Sequence, residues 1–296
     1  MAIQSARDAL KTQAFESMLL FGAPKSGKTS FTASGSKNAG VEMFAERGSV
    51  DASDVLIINI DSGGYKGAID SGYVPMVADL SGVRGWAALN TALAKTILEV
   101  KPMVEAGTIR IVSIDLGAIS NEIVAFCAGD KVMGTDKVAN TEISFSGAEV
   151  NWNQVGTQGL SLFRAFRQLN CLVVAHAHVK AVDNNPYKSK LTAAELQQQA
   201  LVKDALAVGG DAGRLAADTP KGVLAPWITN PSYIAAREVR DVNVGTTLKP
   251  QIEKKYVTNL ADTNVYQVGH RFQNLLKDEP VTTKSLRYLL DKANSL

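Results

Sequence analysis

The sequence predicts an α/β fold in which a mostly parallel central sheet is flanked by helices and gains antiparallel strands towards the C-terminus. Three observations predict it. The apolar runs MLLF, VLIINID, IRIVSID and CLVVA have strand length and no polar face, as strands covered on both sides require. Segments with helical spacing separate them, so parallel neighbours have crossovers to join them. From about residue 222, YIAAREVRDV, QIEKKYVTNL and VYQVGHRF alternate in the manner of antiparallel strands or hairpins.

Each element follows in order. Residues 17–21 read as a strand feeding a glycine-rich turn, and 28–37 as the helix leaving it. The stretch NAGVEMFAERGSVDASD has no clean period and reads as a surface excursion, before a strand at 55–61. GWAALNTALAKTILEVKPMVEAG places apolar residues at helical spacing, and IRIVSID is a second central strand ending at Asp115. GAISNEIVAFCAG continues as a helix, 129–150 loops out, and NWNQVGTQGLSLFRAFRQLN is a helix leading into the strand CLVVAHAHV. Beyond residue 180, LTAAELQQQALVKDALAVGG reads as a helix with Thr192 and Glu195 as a capping box, and TTKSLRYLLDKANS as a short amphipathic helix. One domain is expected over 1–296: a core at about 15–180 and a helical, β-rich extension at about 181–296.

Composition narrows the function classes. A chain of 296 residues with 46% hydrophobic content can bury one large core. Net charge is only +2, so contact with nucleic acid would need local basic surface. Cys127 and Cys171 form no metal-type pair, and Cys171 opens an apolar run as a packing thiol would. No apolar stretch approaches bilayer length and the N-terminus is not a signal peptide, so the expected location is cytoplasmic, with no membrane partner.

The segment GAPKSGKT carries the chemistry. It satisfies G-x-x-x-x-G-K-[ST], a pattern that arises by chance in roughly 1% of chains this long. Gly22, Ala23, Pro24, Lys25, Ser26 and Gly27 form a loop whose backbone amides turn inward to wrap phosphates. Lys28 reaches the outer phosphates, the Thr29 hydroxyl is a Mg²⁺ ligand, and Ser30 continues the helix whose positive end faces the anion. The partner of such a cradle is a carboxylate at the end of an apolar strand, which holds the metal. Asp115 is the first candidate and Asp61, closing VLIINID, the rival; a strand-end aspartate that only caps the next helix is the ordinary alternative. The order cradle strand, extra strand, Asp115 strand suits the nucleotide-binding folds that insert an additional strand between cradle and metal carboxylate.

With these residues the chain resembles the RecA-like P-loop ATPases, and within them the phage-encoded ATP-binding proteins of the Sak-type single-strand annealing group. The resemblance covers about residues 15–180 and rests on FGAPKSGKTSF, LIINIDSGG, IVSID and NWNQVGTQGLSLFRAFRQLNCLVVAHAHV. It implies ATP and Mg²⁺ as ligands, catalytic roles for Lys28, Asp61, Asp115 and His178, and an oligomer in the form of a ring or filament. In that family a residue ending the last strand senses the γ-phosphate. His176 and His178 both stand there, on one face by alternation, and His178 is nearer the family position. The family's DNA-contacting loop matches KAVDNNPYKSK, where Lys180, Lys188, Lys190 and Tyr187 suit single-stranded DNA. In the family's oligomers a basic residue from a neighbouring copy reaches the γ-phosphate; the C-terminal strands offer Arg237, Arg240, Lys254, Lys255 and Arg271 for that place, and alternation along exposed strands explains these residues without it.

One departure bears on hydrolysis. Where the family has a glutamate that activates water, this chain reads IDSG, with Gly63 at the glutamate position. Asp61, Asp70 or Glu122 could supply the missing carboxylate, with Asp61 favoured. The leading expectation is an ATPase acting on single-stranded DNA in phage recombination, annealing or replication. The alternative is a structural or assembly protein that holds nucleotide without cleaving it. A small-molecule kinase needs an arginine-bearing lid, and 129–150 contains none.

Overall fold

The computed structural model describes residues 15–39, 49–61, 63–128, 150–181, 215–218, 221–229, 233–244, 251–260, 269–270 and 281–294. Their strands are β1 (Glu16–Gly22), β2 (Val50–Asn59), β3 (Tyr73–Asp79), β4 (Ile111–Asp115), β5 (Leu172–Ala181), β6 (Leu215–Asp218), β7 (Tyr233–Asn243), β8 (Ile252–Asn259), β9 (Gly269–His270) and β10 (Val281–Thr282). The helices are α1 (Lys28–Ala33), α2 (Lys66–Asp70), α3 (Trp86–Glu105), α4 (Leu116–Ala128), α5 (Trp152–Phe166), α6 (Lys221–Thr229) and α7 (Leu286–Asn294).

The sheet runs β10-β8-β7-β1-β5-β4-β2-β3, with β6 joined to the end of β5 and β9 to β7. From β3 to β7 neighbours are parallel, while β8 and β10 are added antiparallel. Alternation sends Leu19, Phe21, Val173 and Ala175 to a face covered by α3, α4, α5 and α6. Met18, Leu20, Leu172 and Val174 face α1, α2 and α7. The expected α/β class, parallel core and antiparallel C-terminal strands are all present.

An additional strand does stand between the cradle strand β1 and the Asp115 strand β4, but it is β5 rather than the expected β2. Burial explains the exchange. Leu172–Ala177 is buried on both faces and pairs with β1 and β4 at once, whereas β2 exposes Asp51 and Ser53 and shifts register against the edge strand β3. Two local expectations also change. Residues 50–54, expected in a surface excursion, open β2. Helix α1 stops at Ala33 instead of residue 37, because Ser34 turns to donate to the Phe31 carbonyl (2.6 Å) and accept from the Leu286 amide (3.0 Å).

Helices α3 and α5 obey their sequence spacing, whereas α2 and α6 stand where no helix was expected. In α3 the buried positions Trp86, Leu89, Leu93, Ile97, Val100 and Val104 recur every three or four residues. Asn151 starts α5 by accepting the Gln154 amide at 3.1 Å. The capping box at Thr192 and Glu195, the 129–149 loop, the basic stretch 182–190 and Arg271 lie outside the described residues. Cys127 and Cys171 are free and buried, and burial pushes the Cys171 thiol up to about 12, as expected of packing thiols.

Helix α5 meets α6 at glycines: a Cβ on Gly159 would lie 2.6 Å from the Val223 Cα and 2.8 Å from the Gly222 carbonyl. Backbone atoms cannot yield there as a flexible side chain would. Gly159→Ala should therefore cost about 1–3 kcal/mol of unfolding free energy, the range for overpacking a filled core. Urea unfolding checks this, with Gly82→Ala as control, since nothing lies within 4 Å of that position. Equal stabilities for the two variants would refute the close packing.

Candidate functional site

The parallel strands β1 and β4 end within two residues of one level, because Leu20 and Asp115 both register against His176 of β5. A crevice outside the carboxyl ends of such strands is where open α/β sheets bind ligands. The loop from Gly22 to Gly27 leaves β1 here. Lys25 (φ 62°) and Gly27 (φ 78°) hold left-handed backbone, a conformation that costs an L-residue about 1–2 kcal/mol and turns successive amides to one side. The Phe31 amide then bonds the Gly27 carbonyl at 2.9 Å, starting α1.

The cradle side chains are arranged as follows. The Lys28 ammonium lies across the loop, donating to the carbonyls of Gly22 (2.9 Å) and Ala23 (3.1 Å). Burial holds its pKa below the usual lysine value, against the opposing pull of the Asp115 charge. Ser26 Oγ is buried with no hydrogen-bond partner among the described residues, a polar atom that a bound anion would satisfy. Ser30 turns the other way: its hydroxyl donates to the Gly67 carbonyl (2.5 Å) and accepts from Ser71 (2.9 Å), tying α1 to α2.

Asp115 Oδ1 accepts the amides of Gly117 (2.8 Å) and Ala118 (3.2 Å), so the carboxylate caps α4 and is fixed in direction. Burial raises its pKa first, and the neighbouring Asp61 charge raises it further; the amide bonds and His178 act in the opposite direction. Asp61 and His178 are both exposed at this end of the sheet. The ring of His178 also packs over the Gly117 position, 3.3 Å from where a Cβ would stand. Among the described residues no three His, Cys, Asp or Glu side chains gather as a metal cage. The donors expected of Thr29 and Asp115 instead suit Mg²⁺, which takes one or two carboxylates and completes its shell with phosphates and water.

In the sheet, one strand, β5, stands between the cradle strand β1 and the Asp115 strand β4. No family model and no curated protein matches the sequence. Among solved structures, the chain is similar to a KaiC-like protein of the hyperthermophilic archaeon Pyrococcus horikoshii, at 9% identity and a TM-score of 0.36, covering 84% of this chain and 79% of that one.

The three candidate carboxylates for activating water separate clearly. Glu122 accepts the Gly85 amide at 3.1 Å and so faces the start of α3. Asp70 is exposed at the end of α2. Asp61 is the one whose charge reaches Asp115. Gly63 is left-handed (φ 87°), and the Lys66 stem fills its side-chain space, 3.2–3.3 Å from a Cβ placed there.

His176 and His178 share a strand face but not an environment. His176 is buried, its Nε2 2.8 Å from Thr32 Oγ1 and 3.4 Å from Ser113 Oγ. Thr32 in turn donates to the Lys28 carbonyl at 3.2 Å, which leaves its oxygen to accept from an Nε2-protonated imidazole. Two further residues stand beside the cradle: Arg237, named from the sequence only as a basic residue of the C-terminal strands, and Tyr256, which the sequence did not single out. Arg237 on β7 is wholly buried in register with Gly22, and the Tyr256 ring on β8 packs against Gly27. Alternation suggested an exposed Arg237; only the pairing of β7 with β1 reveals its burial.

Burial, aided by the Lys28 charge, holds the His176 imidazole down to about 3. Its folded value is thus below the unfolded value of 6.5, and the unfolded chain takes up the proton first. Stability should fall as pH drops from 6.5 towards 3, by about 1.4 kcal/mol per pH unit relative to His176→Gln. Urea unfolding at several pH values checks this, and parallel curves for the two proteins would contradict it.

Proposed function

We propose that this chain is a RecA-like P-loop ATPase, one domain over 1–296, that binds ATP with Mg²⁺ at the loop Gly22–Thr29. The observation that carries the reading is the meeting of the left-handed loop, Lys28, Asp115 and Asp61 at one end of the sheet, with β5 between cradle and carboxylate. The loop amides and the start of α1 hold the phosphates. Lys28 leaves the loop carbonyls for the outer phosphate oxygens, and Ser26 Oγ gains an acceptor. Thr29 and Asp115 hold Mg²⁺, which when bound neutralises charge on the phosphate oxygens.

For hydrolysis, Asp61 accepts a proton from a water whose oxygen attacks the γ-phosphorus. The bond from that phosphorus to the bridging oxygen breaks, leaving ADP and phosphate. His178, exposed beside Asp115, is assigned to contact the γ-phosphate. Action on single-stranded DNA in phage recombination, through 180–190 and a ring or filament, is the part that rests on the family resemblance alone. Fluorescence anisotropy with labelled single-stranded DNA, at low salt with ATP present, tests that part; no binding rejects it.

A second reading has its own support. Gly63 offers no carboxylate and Lys66 fills its space, which favours a protein that holds ATP as an assembly ligand. Three variants separate the readings. Lys28→Ala should abolish nucleotide binding, and Asp115→Asn should remove its Mg²⁺ dependence. Asp61→Asn should keep binding and lower turnover about 10²–10⁴-fold, the usual weight of a general base. Calorimetric titration and phosphate release measure these effects. ATP recovered intact from the wild type after long incubation with Mg²⁺ would select the second reading.

A further inference from the structure

The C-terminal strands do more than extend the sheet. β7 lies parallel beside β1 so closely that a Cβ on Gly22 would stand 2.2 Å from the Arg237 carbonyl. The Arg237 side chain then runs beneath the cradle. Its guanidinium lies 5.0 Å from the centroid of the Phe31 ring on α1 and 5.8 Å from that of Tyr256 on β8. It donates to Thr258 Oγ1 on β8 at 2.6 Å. Phe31 is one turn below Gly27, and the Tyr256 ring meets Gly27 from outside, 3.1 Å from where a Cβ would stand. One planar cation thus spans an aromatic ring on the cradle helix and an aromatic ring against the cradle's left-handed glycine.

We infer that Arg237 and Tyr256 are positioning residues for the phosphate cradle, clamping the Gly27 turn and the start of α1 in the phosphate-binding conformation. The inference rests on the reading of Gly22–Thr29 as a nucleotide site. Neither side chain is assigned a phosphate contact; both act through Phe31 and Gly27. A guanidinium suits this place because its flat face stacks on rings while its edge donates to Thr258, which a lysine ammonium cannot reproduce. The fully buried position is costly for a charge, and burial lowers the Arg237 pKa to about 9, with Tyr256 and Tyr73 opposing. A residue present only to fill space would be apolar here.

The test measures ATP and ADP affinity by titration calorimetry, at a temperature where each variant is shown to be folded by circular dichroism. Arg237→Met, Arg237→Lys and Tyr256→Ala should each weaken both nucleotides about tenfold, the loss expected of one partly desolvated cation–π contact. Tyr256→Phe keeps the ring and should bind as the wild type does. A merely structural role would lower the melting temperature and leave the affinity of the folded protein unchanged, which would overturn the inference. Equal weakening by Tyr256→Phe and Tyr256→Ala would overturn it too, by assigning the effect to the hydroxyl. Should Arg237→Met fail to fold, Arg237→Lys and the tyrosine pair decide. Lys28→Ala run alongside isolates the underlying reading: if that variant binds normally, the nucleotide site itself is misplaced. If it fails to bind while the Arg237 and Tyr256 variants bind normally, only the clamp is rejected.

Discussion

The absence of a side chain at Gly22 is the constraint on which the site depends. β1 leaves the sheet at this residue with the Arg237 carbonyl pressed against it, at a distance no Cβ could occupy. That contact lets β7 pair with β1 up to the last residue of the strand, so the chain turns into the loop at full sheet density. β5 on the other flank carries His176 against Leu20 and Asp115. The cradle is therefore held from both sides by parallel neighbours, and its left-handed residues are fixed before any ligand arrives.

The electrostatics follow from the same packing. Lys28 and Asp115 are both driven towards their neutral forms by burial, and the Asp115 charge helps keep Lys28 charged. A phosphate chain and a divalent cation would supply the missing counter-charges together. His176 belongs to the frame rather than to this exchange: buried and neutral, it holds Thr32, which holds the Lys28 carbonyl. His178, two residues on, is exposed where β5 has passed the end of β4 and pairs with β6 instead.

Much of this was legible in the sequence, for physical reasons that differ from residue to residue. The cradle is a contiguous motif whose glycines and lysine have one dominant use, and Asp115 ends an apolar run long enough to name a buried strand. The place of β5 between β1 and β4 was not legible, because strand order is set by non-local burial and leaves no local mark. Arg237 was misread for the same cause. Its strand alternates as an exposed one would, yet β1 on one side and β8 on the other enclose it. Gly63 shows the converse, since IDSG already announced the missing glutamate and the structure added Lys66 in its place.

The central claim is that the loop Gly22–Thr29 and the Asp115 cap form one ligand site. Hydrogen–deuterium exchange of the wild type with and without ATP and Mg²⁺ tests it most directly, since amides that bind phosphate lose their exchange with water. Slower exchange confined to peptides spanning 22–31 and 115–118 is the predicted result. Unchanged exchange in both peptides at saturating nucleotide, or protection found only elsewhere in the chain, would contradict it.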